Sequence, residues 1–468
     1  MWCSVPLRTY PDEPEDGGGG SNTTWPWDGF PWTPPSNNSL SGAGSGAAIA
    51  GSSGNLNLTG IDANFLPTAP KQPSVVINFW WFLWFYYGFY NAVALLLITK
   101  IFNIYSLNWW PKRLGGLTSY FIFWLSTQLM GILVYYFTGL EVYRLTWVFL
   151  TFCTMTIPLF VAFLVIRSEN RNVYRHSLTV AQKTFLSASS IESRIPASYT
   201  RFLWFCVALA ITLSTIVTGE LYADQYIQTS RHNPHKTIEG LVYVYTWVGT
   251  IYVLDAITQY IVETRVRSYP LSSIFKLYYF MVYFIFYRNL FVGLRSYLES
   301  YEQFLIIQLA SSFWICIFHP ICMTHTVYRS LVYVFGISRT YEEYKRQIGR
   351  GLFLRNLAEN VTMLAFLLWV NILYYGPNAK IYTYFKFNNL NVETNHDVTV
   401  YASLLIWTSE LISNFINRMI CKKYLGYHVT KEALKDFKEY PELIVAFVLV
   451  MVHVLQDMLL SLLDLSFA

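Results

Sequence analysis

The sequence predicts an all-α protein, a polytopic bundle of about ten membrane-spanning helices behind a disordered amino-terminal tail, with the amino terminus exocytoplasmic. Composition supplies the first observation: 54% of residues are hydrophobic and 18% aromatic, but only 13% are charged. Soluble domains carry roughly a quarter of their residues as charges. A surface that meets water cannot be covered by so few, whereas a surface that meets lipid needs almost none. The second observation is a series of apolar segments long enough to cross a bilayer, and the third is the sorting of basic residues between the loops that join them.

Residues 1–75 form a tail rich in Gly, Ser, Asn and Pro, including GGGGSNTT and SGAGSGAAIAGSSG. Such composition cannot bury enough apolar area to offset the entropy of ordering, so a flexible segment is expected. Its start has no apolar core and so does not read as a cleavable signal peptide. Acceptor tripeptides for N-glycosylation occur at Asn22, Asn37 and Asn57. Their clustering in a flexible segment favours a luminal or extracellular tail.

The remainder, 76–468, reads as one transmembrane helical domain. Its apolar segments fall near 76–99, 117–140, 145–166, 202–222, 241–263, 271–294, 304–327, 357–375, 399–417 and 442–464. At about 1.5 Å rise per residue, segments of this length match a hydrocarbon core of about 30 Å. The eighth is short and reads as a weakly tilted or re-entrant span. With the tail outside, the cytoplasmic loops hold 23 Lys and Arg and the exocytoplasmic segments eight. That bias agrees with the glycosylation signal and places the carboxyl terminus outside as well. Within the cytoplasmic loops, 339–355 and 430–440 mix apolar and basic residues at helical spacing, with Thr430 as N-cap and Pro441 as stop. Short helices on the inner membrane surface are expected there.

Ionisable residues inside the membrane are costly and so carry the functional information. Asp255, Gln259 and Glu263 form one stripe on the fifth span, since residues four apart share a helix face. Glu410, Asn414 and Asn417 form a stripe on the ninth, and His453 with Asp457 one on the tenth. Candidate cationic partners are Arg288, paired here with Asp457, and His319; Lys276 is expected to snorkel to the interface. These groups serve either as ion pairs that fix helix register or as a hydrated ion or proton path.

In CIFHPICMTH, Cys316, His319, Cys322 and His325 recur every third residue. Thiolate and imidazole are ligands for zinc or copper. Steps of three drift by about 60° around a straight helix, so one helix cannot aim all four at one ion unless Pro320 breaks it. Buried thiols behaving as small apolar groups is the simpler expectation. Thr138-Gly139 and Thr218-Gly219 end the second and fourth spans alike, too short a match to establish a duplicated unit.

Nucleic-acid binding is excluded by the absence of a basic patch, and no Gly-rich phosphate loop or other cofactor signature occurs. The expected partners are membrane lipids and a small ion or small-molecule substrate, with an oligomer or partner subunit left open. Transport or ion conduction in the plasma membrane or a secretory-pathway membrane uses all these features together. The alternatives are a receptor or assembly subunit, and a membrane-embedded lipid-modifying enzyme with His319 or His453 as general base.

Overall fold

The protein was described from a computed structural model covering residues 77–105, 117–168, 198–232, 237–295, 312–313, 316–335, 340–376, 392–461, 465 and 467; at several helix ends only the backbone path is described. The tail, with Asn22, Asn37 and Asn57, lies outside these residues. Among the described residues all regular secondary structure is helical, apart from one isolated bridge between Ile77 and Phe467.

In chain order the helices are α1 (Phe79–Ile104), α2 (Leu117–Phe137), α3 (Arg144–Ser168), α4 (Ser198–His232), α5 (Thr237–Ile261), α6 (Tyr269–Arg295), α7 (His325–Phe335), α8 (Tyr341–Tyr375), α9 (Val392–Leu425), α10 (Val429–Glu439) and α11 (Glu442–Leu460). Seven of them, α1–α4, α6, α8 and α11, contain a stretch long and apolar enough to cross a membrane. These seven are counted over the described residues alone.

The expected seventh span is interrupted. Residues 316–322 are helical, the chain turns at Met323 and Thr324, and α7 starts afresh at His325. The eighth span is not a short element: together with the expected surface helix 339–355 it forms the continuous 35-residue α8. Thr340 and Glu343 close a reciprocal capping box at its start, which satisfies two backbone donors and fixes where the helix begins. Gly349 and Gly351 do not break it because partners pack on them: a Cβ at Gly349 would lie 2.2 Å from the Tyr427 ring and one at Gly351 3.0 Å from Lys276 Cε. Short helix α10 forms as expected, but it starts at Val429 with His428, not Thr430, in the cap position.

The hub is α6, against which α1, α4, α5, α8 and α11 all pack. Its residues 271–286 are almost entirely buried, so both halves of the chain share one core. The aromatic run in α1 divides by face. Phe79, Phe82, Tyr86, Tyr87 and Tyr90 are buried, with Phe79, Phe82 and Tyr87 around the Trp147 ring, whereas Trp80, Trp84, Phe85 and Phe89 are exposed. One half of that run is core and the other is the kind of apolar face that lipid covers. The two Thr-Gly pairs have unrelated roles: Gly139 takes a positive φ of 65° after α2, while Gly219 lies inside α4 against Phe286.

Two wide π-turns interrupt the regular helices, Phe82–Tyr87 in α1 and Val262–Val266 at the end of α5. The second ends at Arg267 with φ 55°. Buried Arg201 of α4 donates from Nε to the Val266 carbonyl at 2.7 Å, supplying positive charge where a helix carboxyl end is negative.

Candidate functional site

Of the acids predicted from sequence, Asp255, Glu410 and Asp457 are buried and Glu263 is half-buried, yet they do not meet in one chamber. Instead they occupy three polar centres at the interfaces around α6 and α8.

The first centre lies between α5 and α6. Lys276 donates to Asp255 Oδ2 at 3.2 Å, and Gln259 donates to Asp255 Oδ1 at 3.3 Å and to the Ser272 carbonyl at 3.0 Å. Ser272 in turn donates to Gln259 Oε1. Lys276 is therefore the counter-charge of Asp255, a correction to its expected role as a snorkelling bystander. Its side chain stays only 21% exposed, with Gly351 and the Phe280 ring beside it. Glu263, on the π-turn, accepts from Gln347 of α8 at 2.7 Å.

The second centre lies between α1, α6 and α11. His453 stacks between Tyr90 and Tyr278, with centroids 5.2 and 6.3 Å away and ring planes 13° and 22° apart. Tyr90 donates its hydroxyl to Asp457 Oδ1 at 3.1 Å. Neither His453 Nδ1 nor Asp457 Oδ2 has a hydrogen-bond partner, although both residues are fully buried. Asp457 is within electrostatic reach of Glu220 and Arg144. Arg144 pairs with Glu220 at 3.8 Å and donates to the Ser461 carbonyl at 2.7 Å. The side chain of Arg288, the partner expected for Asp457, lies outside the described residues.

The third centre joins α8 and α9. Asn414 donates to Glu359 Oε2 at 2.9 Å, and Trp407 donates to Asn360 Oδ1 at 2.9 Å. Arg355, buried over the Phe284 ring, is within electrostatic reach of Glu359 and Glu410. Asn417 accepts from the Cys421 thiol.

The Cys/His series does not converge. Cys316 donates to the Ser413 carbonyl at 3.3 Å, His319 lies edge-on to Phe318, and the turn at 323–324 sends the His325 ring toward Tyr341 and Tyr328. Among the described residues no three His, Cys, Asp or Glu are grouped to hold a metal. Cys153, Cys206, Cys316, Cys322 and Cys421 are free thiols.

Sequence inspection missed Tyr90, Glu220, Tyr278, Arg355, Asn356 and Glu359. Arg355 and Glu359 carried a signal, an opposite-charge pair four apart at the edge of an apolar run. Tyr90 and Tyr278 carried none, being two tyrosines among 36.

Helices of this length and apolarity, with ionisable groups turned inward, define the class: an all-helical membrane protein with several spans. The chain belongs to the SPCC553.12c family, whose model matches residues 1–463. It is similar to a protein of Schizosaccharomyces pombe described as "Uncharacterized protein C553.12c", 38% identical over 408 residues that cover 85% of this chain and 76% of the relative. No solved structure matches it.

Proposed function

We propose that the protein is a multi-pass transporter or proton-conducting protein in which protons move along a buried polar line wound around α6. One observation carries this reading: the first two centres connect through neighbouring tyrosines of α6. Tyr278 faces His453, and Tyr279 exchanges a 2.7 Å hydrogen bond with Thr258 of α5, one turn from Asp255. The line runs from Arg144 and Glu220 through Asp457, Tyr90 and His453, past Tyr278 and Tyr279, to Asp255, Lys276 and Glu263. Carboxylates and an imidazole exchange protons readily near neutral pH when burial and neighbours tune them, and hydroxyls between them donate and accept.

Liposomes containing the purified protein, loaded with a pH-sensitive dye and given a potassium-diffusion potential, test this directly. Wild-type protein is expected to acidify or alkalinise the lumen faster than protein-free liposomes. Asp457→Asn is expected to slow that flux at least about tenfold, since a positioned proton-transfer group contributes about 10²–10⁴-fold. Wild-type flux equal to that of empty liposomes removes the proposal.

Ten spans with both termini exocytoplasmic fit the same picture. The pairing of Ile77 with Phe467 and the ion pair of Lys100 with Glu442 at 3.4 Å support an even number of crossings, since α1 and α11 then run antiparallel with their outer ends together. Glycosylation at Asn22, Asn37 and Asn57 follows from that orientation. Glycosidase treatment is expected to increase the protein's electrophoretic mobility, and the triple Asn→Gln variant is expected to lose that shift. A tail that stays protease-sensitive on the cytosolic side of intact vesicles reverses the orientation.

A further inference from the structure

Helix α10 gives one face to the bundle and turns the other outward. Val429, Ala433 and Tyr440 are buried, Asp436 pairs with Arg350 of α8, and Phe437 lies edge-on to Phe353 of α8 and Phe447 of α11. Residues three, four and seven positions apart share a helix face, so the opposite side carries Lys431, Leu434, Lys435 and Lys438. All four are exposed, Leu434 by 53%. Lys422 and Lys423, in the last turn of α9 before the bend at Gly426, are exposed as well. The acids nearby are largely spoken for: Asp436 is held by Arg350, Glu432 pairs with Lys435 at 2.6 Å, and Glu442 pairs with Lys100. Glu439 is exposed among the lysines.

The height of this face follows from its neighbours. Tyr440 and Pro441 alone separate α10 from α11, a helix long and apolar enough to span. Phe447 is already more than a turn inside α11, and Phe437 reaches it with ring centroids 5.6 Å apart. The outward face of α10 therefore lies near the end of a spanning helix, where headgroups meet acyl chains. An exposed leucine flanked by lysines suits that boundary. The leucine enters the acyl edge, while the lysine stems lie along it and keep their ammonium groups among the phosphates.

We propose that the outward face of α10, together with Lys422 and Lys423, docks on an anionic phospholipid surface. Charge complementarity selects this occupant, since basic clusters beside a spanning helix gather acidic lipid headgroups. The orientation proposed above puts α10 at the cytoplasmic leaflet, the one that carries acidic lipid. The docking does not depend on the proton line.

Amide hydrogen–deuterium exchange of the full-length protein in lipid nanodiscs provides the test. Such discs present the same lipid on both sides, so the result is the same whichever way the protein faces. Adding phosphatidylserine to phosphatidylcholine is expected to slow exchange in α10 at least about fivefold at low salt, the worth of about one lysine near an acidic surface. Exchange in α6 is expected to stay unchanged. Salt at about 1 M, where the Debye length is about 3 Å, is expected to remove most of the slowing. The triple variant Lys431→Gln/Lys435→Gln/Lys438→Gln, altered only at exposed positions, is expected to abolish it, and Leu434→Ser to reduce it. Equal exchange in the two lipids, or slowing undiminished in either variant, would overturn the proposal. Slowing by soluble polyglutamate in pure phosphatidylcholine discs, with no effect of phosphatidylserine, would overturn it too and assign the face to an acidic protein. Proton flux in liposomes is read independently, so failure here and failure of the proton line are told apart.

Discussion

Replacing Lys276 by methionine is expected to destabilise the folded protein by about 3–5 kcal/mol, the cost of stranding a buried charge whose partner has been removed. The stranded group is Asp255, which would keep only the Gln259 amide as a donor. Methionine fills nearly the same volume beside Gly351, so lost packing contributes little. The double variant Lys276→Met/Asp255→Leu is expected to recover most of the loss, because replacing both partners of a buried pair by apolar groups is close to neutral. Unfolding in mixed detergent micelles measures both. A single variant within about 1 kcal/mol of wild type would mean that the ammonium reaches water and the pair is ornamental.

The second large effect is expected where α10 docks. Arg350 of α8 grips Asp436 with two parallel hydrogen bonds, 2.7 and 2.8 Å long, while Tyr269 of α6 donates to the same carboxylate at 2.8 Å. The guanidinium also lies 3.8 Å above the Tyr269 ring. Both charged side chains are at most 15% exposed. Asp436→Ala is therefore expected to cost about 3–5 kcal/mol and to release α10. Its backbone amides should then exchange with solvent deuterium much faster than in wild type, while those of α6 stay protected. Arg350→Lys keeps the charge but not the planar fork, and should give a smaller loss with the same pattern. Unchanged exchange in α10 after Asp436→Ala would show that Phe437, edge-on to Phe353 and Phe447, and buried Ala433 hold it unaided.

Much of this architecture was legible in hydropathy alone. Helices α1, α2, α3, α4, α6 and α11 lie close to the expected spans because a bilayer imposes a length that a sequence window can measure. The same approach failed where the determining contact is tertiary. The surface helix and the eighth span merged because Tyr427 and Lys276 pack onto two glycines that look like breakers when taken locally. The seventh span divides at Met323, three residues beyond the proline that seemed the natural break. For the polar groups, periodicity told which side chains share a face but not which face they meet. Asp255, Glu410 and Asp457 are buried, yet the groups that meet Asp255 and Asp457, Lys276 and Tyr90, come from other helices, and a single sequence gives no pairing between helices.

The Lys276–Asp255 pair joins two helices that are consecutive in the chain, its charges 21 positions apart. A ribosome therefore delivers both members to the insertion machinery as one hairpin, before α8 and α11 have been translated. The cation that α6 contributes at this centre can enter lipid already neutralised, leaving the later helices to close around a pair that has been safe since birth.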